Sequence, residues 1–263
     1  MYNNEYKEYL RNIRLNNMKV FIFRLLIVVI FIFLWEYLSS KNIINSFIYS
    51  SPSKAINTIY GLYLNSNLFN HIWVTIYETI ISFTLATVIG TLIAIIFWYN
   101  DILYRVLEPY LTIINSLPKV ALGPIIIIIF GSNMNSIIIM ALLISLIVTI
   151  SNVYNGFVNT DGNKIKLLRS FNSSKYQILK YLIIPSNYHV IINSLKINVS
   201  MSLIGVIMGE FLVSKEGIGY LINYGSQVFN LNLVFGGIII LLIVSYAMYM
   251  IVVYIEKILI RNN

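Results

Sequence analysis

The chain has 263 residues, of which 58% are hydrophobic and only 11% charged, and it carries a formal net charge of +8. A soluble domain of this length holds about a quarter charged residues, so this composition needs a bilayer as its solvent. The positive residues lie between apolar runs rather than along one face, which fits membrane topology signals and anionic headgroups and not nucleic-acid binding. There is no cysteine, and the two histidines, His71 and His189, are far apart. Disulfides, thiol chemistry and Cys- or His-rich metal sites are thereby excluded or disfavoured.

Residues 1–18 are polar and mixed in charge and read as a cytoplasmic N-terminal segment. The apolar run Val20–Leu34 continues to about Leu38; it is long for a signal-peptide core and no A-x-A-like site follows, so it reads as an uncleaved span. Five further spans are expected at about 71–98, 104–130, 135–155, 189–212 and 233–257, each able to cross a hydrocarbon core of about 30 Å with about 20 residues. Pro109, Pro118 and Pro124 interrupt the second of these five, which should begin as an interfacial helix and break near Pro118. The whole reads as an all-α integral membrane fold of about six transmembrane helices, with a transmembrane domain over 19–257 and a tail over 258–263.

Lysine and arginine set the orientation. With the N-terminus inside, the inner segments hold Lys7, Arg11, Arg14, Lys19, Arg105, Lys164, Lys166, Arg169, Lys175, Lys180, Lys257 and Arg261. The outer segments hold only Lys41, Lys54 and Lys215. Both termini are therefore expected in the cytoplasm, together with a polar loop over 156–188. Outside, Ser50-Ser51-Pro52-Ser53 marks a turn ahead of an amphipathic stretch, Ala55–Leu64. Gly217, Gly219 and Gly225 suit a tight, re-entrant turn.

Five ionisable residues fall within or at the ends of spans: Glu36, Glu78, Lys119, Lys196 and Glu210. At a helix centre each costs about 2.5–3.5 kcal/mol on insertion scales. Lys196 can snorkel, Glu36 and Glu210 are placed where water reaches them, and Lys119, just after the Pro118 break, is a pathway candidate. Gly205 and Gly209 form a G-x-x-x-G that suits close helix packing within one subunit. The expected translocation-pathway set is Pro118, Lys119, Gly205, Gly209 and Glu210. The ten acidic residues are scattered, and there is no phosphate-binding glycine loop, so neither catalysis nor nucleotide hydrolysis is expected of this chain.

Within the cytoplasmic loop, Lys166–Pro185 is a basic amphipathic stretch. Its apolar residues Leu167, Leu168, Phe171, Ile178, Leu179 and Leu182 recur at helical spacing. Asn172 interrupts the pattern and Pro185 closes it, giving two short helices on the membrane surface. This stretch resembles the cytoplasmic signature of permease subunits of binding-protein-dependent ABC importers: E-A-A, three residues, Gly, nine residues, I-x-L-P. Lys166-Leu167-Leu168 stand at the E-A-A positions, Asn172 at Gly, and Leu182-Ile183-Ile184-Pro185 at I-x-L-P. Asn is the other residue that commonly enters the left-handed conformation at a helix end.

The resemblance extends to Leu107-Glu108-Pro109, Leu117-Pro118, Ala121, Pro124, Phe130-Gly131, Gly205, Glu210-Phe211 and Gly217–Ile222. It is to the nitrate/sulfonate/taurine branch, which also serves thiamine-precursor-like solutes. His71, Thr75 and Phe83 fit that branch, while Glu78 stands where Arg is expected and Ser82 where Gly is. The resemblance implies a type I ABC importer permease-like fold with cytoplasmic coupling helices in the cell membrane. It implies an ATPase-coupling site at Lys166, Leu167, Leu168, Arg169, Phe171, Asn172, Ser173, Tyr176 and Pro185. It further implies cytoplasmic ATPase subunits that bind the ATP and Mg, a second permease subunit (a copy of this chain), and an extracytoplasmic solute-binding protein. Two alternatives from other classes are a membrane-embedded lipid or isoprenoid enzyme, for which Glu78 and Glu210 are the only acidic pair on offer, and a scaffold or channel subunit without an ATPase.

Overall fold

The computed structural model describes residues 2–64 and 67–261, so Met1 of the N-terminal segment and Asn262–Asn263 of the tail lie outside the described residues. Helices account for nearly all of it. In chain order they are α1 (Tyr2–Ser40), α2 (Ser46–Tyr49), α3 (Pro52–Leu64), α4 (Leu68–Tyr99), α5 (Asp101–Ser116), α6 (Gly123–Phe130), α7 (Met134–Val158), α8 (Gly162–Ser170), α9 (Lys175–Ile178), α10 (Ile184–Ser186), α11 (Tyr188–Val213), α12 (Ile218–Gln227) and α13 (Leu231–Arg261). Among the described residues, α1, α4, α7, α11 and α13 are long and apolar enough to cross a membrane. The stretch expected to break near Pro118 is two arms bent by 93°, Asp101–Ser116 and Lys119–Phe130. Pro118 lacks an N–H and disfavours helical geometry at Leu117, so α5 stops there, and a 3₁₀ turn over Lys119–Leu122 leads into α6.

The bundle is centred on α4, α7 and α11, which pack on one another along much of their length. Lipid gives helices no hydrophobic reason to associate, so close backbone approach and polar contacts must hold them together. Both are present. Gly205 and Gly209 on α11 face Ala141 and Ile137 on α7, and a Cβ at Gly209 would come within 2.9 Å of Ile137 Cγ2. Gly90 on α4 lies as close to Thr149 on α7. At the same level the buried Asn198 on α11 donates to Thr87 Oγ1 at 2.7 Å, and its Oδ1 lies 2.8 Å from Thr149 Oγ1. One amide thus joins three helices. The G-x-x-x-G pattern is used for packing within the chain.

The other spans are added around this centre. α13 packs on α11 and α12 through Val199, Ile218, Ile222, Ile240, Val244 and Met248. Lys196 on α11 forms a half-buried ion pair with Glu256 on α13 at 2.6 Å, so it is paired within the bundle. α1 is joined to the rest at its C-terminal end. There Trp35 meets Phe235 with tilted rings 5.2 Å apart, and the Glu36 carboxylate accepts from Ser53 N at 3.0 Å and Ser53 Oγ at 2.8 Å at the start of α3. The side chains of Val20–Leu34 are exposed over the whole run, as a lipid-facing span requires.

The packing at α11 makes a direct prediction. Gly205→Val should lower the thermal unfolding midpoint in detergent by an amount equivalent to about 1–3 kcal/mol, the usual cost of overpacking. Asn198→Leu should cost less, about 0.6–1.7 kcal/mol. Thr87 and Thr149 keep bonds to the Phe83 and Ser145 carbonyls at 2.7 and 2.8 Å, so no hydroxyl is orphaned.

Candidate functional site

At the end of the bundle expected from the lysine and arginine bias to be the inner one, the link between α7 and α11 is fully structured. The Asp161 carboxylate accepts from Asn163 N at 2.9 Å and caps α8. At the far end of α8, Asn172 takes φ +56. Around it, Asn172 N donates to Arg169 O at 2.9 Å and Ser173 N to Leu168 O at 3.1 Å. This pair of bonds is a Schellman motif with Asn in place of the usual Gly. Ser174 and Gln177 then form a capping box, each side chain accepting from the other residue's backbone N–H at 3.2 and 2.7 Å. The second helix therefore starts as sharply as the first one stops.

Pro185 does not close the stretch. The chain stays helical past it through a π turn over Leu179–Ile183 and breaks at Asn187. Proline offers no N–H and crowds the carbonyl four residues back, and the wider turn just before it accommodates both.

The insert has two apolar faces. Ile178, Leu179 and Ile183 are buried with Ala94, Phe97, Val153, Tyr154 and Phe157, and Ile165, Leu168 and Leu182 pack against the same cluster. Leu167, Tyr176 and Phe171 point away, 57%, 60% and 72% exposed. Leu168, grouped with Leu167 and Phe171 from the sequence, therefore faces the bundle; Lys166 and Arg169 are exposed beside the outward set. Lys175 Nζ donates to Tyr99 O at 2.6 Å and sits 5.7 Å from the Trp98 ring and 5.3 Å from the Tyr99 ring. It caps the C-terminal carbonyls of α4, where a cation is favoured. Asn187 Nδ2 donates to Thr160 Oγ1 at 2.7 Å and to Ile183 O at 2.8 Å, joining the two ends of the insert.

Neither Lys175 nor Asn187 stands in the site expected from sequence. Ser174-x-x-Gln177 carries a readable capping signal, whereas the Thr160–Asn187 bond spans 27 residues without a local one. Of the pathway candidates, Lys119 donates to Asn115 O and Oδ1 at 3.2 and 3.1 Å, next to Pro118 at the bend.

A second polar cluster occupies the opposite end, expected to be the outer one. His71, Thr75 and Glu78 share one face of α4 at helical spacing and meet the junction of α11 and α12. Thr75 Oγ1 donates to Glu210 Oε1 at 2.6 Å and accepts from Ile218 N at 2.8 Å. Gly219 N donates to Glu210 Oε2 at 2.5 Å, and Gly217 N donates to His71 Nδ1 at 3.0 Å. The Glu210 carboxylate thereby takes up free N–H groups in the first turn of α12 and complements its dipole. Gly217, at φ +104, lets the chain turn directly over that carboxyl. Water does not reach Glu210 as expected from its place near a helix end: Glu210 is 0% exposed and Glu78 1%. The turn read from Gly217, Gly219 and Gly225 is a short helix folded back onto α11 and α13.

Three comparisons bear on this arrangement. Residues 86–261 match the family model described as "Binding-protein-dependent transport system inner membrane component". A Haemophilus influenzae chain named as an ABC transporter permease protein is 28% identical, over 86% of this chain and 91% of that one. The ThiX protein of Halalkalibacterium halodurans, named a formylaminopyrimidine transport permease protein, is 27% identical over 71% of this chain and 74% of its own length. Among solved structures, an inward-facing MetNI methionine ABC transporter chain superposes with a TM-score of 0.65 at 18% identity, covering 74% of this chain and 96% of that one. The fold is that of a type I importer permease.

The left-handed residue at the insert's turn gives a local test. Asn172→Gly should leave the turn intact. Asn172→Val should destabilise it by about 1–2 kcal/mol, because a branched Cβ is disfavoured there. Faster amide exchange at Asn172 and Ser173 in the Val variant alone is the expected readout.

Proposed function

This chain belongs to the binding-protein-dependent transport system inner membrane components, and on that premise we propose that its inner-face insert is where ATP hydrolysis in a separate cytoplasmic subunit is converted into movement of the spans. The chain is the multi-pass membrane permease subunit of an ABC importer. ATP and Mg are bound by the partner ATPase, and this chain carries no cofactor. A second copy of the chain and an extracytoplasmic solute-binding protein complete the transporter, with both termini and the insert in the cytoplasm. The solute is a small organic or oxyanion molecule of the nitrate, sulfonate, taurine or thiamine-precursor type. The name of the formylaminopyrimidine permease supports the last of these classes.

One observation carries the coupling role: the insert is apolar on two opposite sides and anchored on only one. Leu167, Phe171 and Tyr176 are presented outward by helices whose other face lies in the bundle core. Lys175 and Asn187 tie them to the inner ends of α4 and α7. A groove on the ATPase that takes up Phe171 moves the insert as one body, and the insert moves α4, α7 and α11 with it. Rigid packed elements of this kind transmit a displacement instead of absorbing it. Transport alternates access without any chemistry in this chain.

Phe171→Asp should weaken ATPase attachment by about 2 kcal/mol or more, the range of an interface anchor, which is roughly 30-fold in affinity. Uptake should fall in parallel while the unfolding midpoint stays unchanged. Leu168→Asp should lower that midpoint as well, since it places a charge against the core. Unchanged solute uptake by a correctly inserted Phe171→Asp protein would overturn the reading.

A further inference from the structure

The transport reading makes no use of the two carboxyl groups at the outer junction. Glu78 lies one helical turn after Thr75, which holds Glu210 from the same face of α4, and both carboxyl groups are buried. Ionised carboxylates only accept hydrogen bonds, so two that face each other can bond only if one of them carries a proton. No basic residue neutralises either: the ion pairs among the described residues are Arg105–Asp101 and Lys196–Glu256.

The two groups are not equivalent. Glu210 accepts from the Thr75 hydroxyl and from the backbone N–H of Gly219, donors suited to a carboxylate. Glu78 is equally buried, yet its Oε2 has no partner. We propose that Glu78 is a neutral carboxylic acid whose single proton is donated to the Glu210 carboxylate, making the pair a proton-binding site that latches α4 to the junction of α11 and α12.

A proton is the ligand that fits. A Cβ at Gly219 would lie 2.7 Å from Glu210 Oε2, so the backbone leaves no room for a metal ion. Among the described residues no group of three His, Asp or Glu side chains converges to hold one. Beside Glu78 a cleft of about 560 Å³ opens between the α6–α7 link and the α11–α12 link, with Ser132, Asn133, Ser214, Lys215 and Glu216 as its polar lining. It provides the route by which the proton exchanges with solvent.

The other titratable groups at the junction are accounted for. His71 on α4 accepts from Gly217 N through Nδ1, and Tyr220 on α12 stacks on its ring at 5.8 Å. Lys215 and Glu216 are exposed at the mouth of the cleft, and α7 contributes the apolar Met134 and Ile137. Removing the proton sets two carboxylates against each other in a low-dielectric site, where like charges repel strongly, and loosens the start of α12. None of this depends on the insert's contact with an ATPase.

Infrared spectroscopy of the purified full-length chain in detergent at neutral pH tests the assignment. The carbonyl stretch of a protonated carboxylic acid should be present in the wild type and absent from Glu78→Gln. That variant replaces the O–H donor by an amide N–H and should unfold within about 2 °C of wild type, a shift of under roughly 1 kcal/mol for a chain of this size. Glu210→Gln, which turns an amide donor toward other donors, should unfold at least about 4 °C lower. Should Glu78→Gln not fold, Glu78→Met, with no polar group to leave unpaired, must lose the band instead. A wild type without the band, a band that survives in the Glu78 variants, or equal destabilisation by Glu78→Gln and Glu210→Gln would overturn the proposal.

Discussion

In hydrocarbon a polar group that finds no partner within the protein finds none at all, and this condition shapes the interior of the bundle. Thr79, Ser82, Thr87 and Ser145 return their hydroxyls to carbonyls one turn earlier on their own helices. Such self-satisfied hydroxyls add little to association between helices. What binds α4, α7 and α11 are the groups with capacity left over: Asn198 between two threonines, Ser202 on Ser145 at 3.0 Å, and glycines that let backbones meet. Specific helix pairing therefore depends on a few polar atoms and a few missing side chains.

The same condition acts differently at the two ends of the bundle. At the inner end the chain leaves the membrane, and the insert solves its hydrogen bonding with local devices: an Asp cap, a Schellman turn at Asn172 and a Ser174–Gln177 box. Each is complete within a few residues, so the insert keeps its shape while leaving Phe171 exposed. At the outer end α12 folds back into the bundle, and the N–H groups at its start are met by side chains from other helices. Glu210, Thr75 and His71 supply that cap from sequence distances of up to 146 residues. One end is built to be carried as a unit and the other to hold several helices together.

How far each was legible follows from this contrast. Length and apolarity place α4, α7, α11 and α13 within a few residues of their observed ends, because both are summed over a whole helix and tolerate local noise; α1 instead runs on unbroken through the polar residues ahead of its apolar run. Asn172 as the left-handed residue follows from its place at the glycine position of the permease signature it resembles, since few residues other than Gly and Asn tolerate positive φ. Three features depart from what helical spacing implies, for one reason: Leu168 faces the bundle and not the side of Leu167 and Phe171, the chain stays helical past Pro185, and Glu210 is closed off from water. Each depends on what lies opposite the residue in three dimensions, and helical spacing is silent on that.

The sequence by itself determined that this is a membrane protein of about six spans, marked which side is basic, and located the polar insert with its two helices and left-handed break. These properties are additive along the chain or local to a turn. Only the tertiary structure decided which face of the insert is anchored, that Lys175 and Asn187 tie it to the bundle, and that Glu78 and Glu210 are both buried. Those facts arise where helices distant in sequence cross, and their energies depend on distances of a few ångströms that no periodicity encodes.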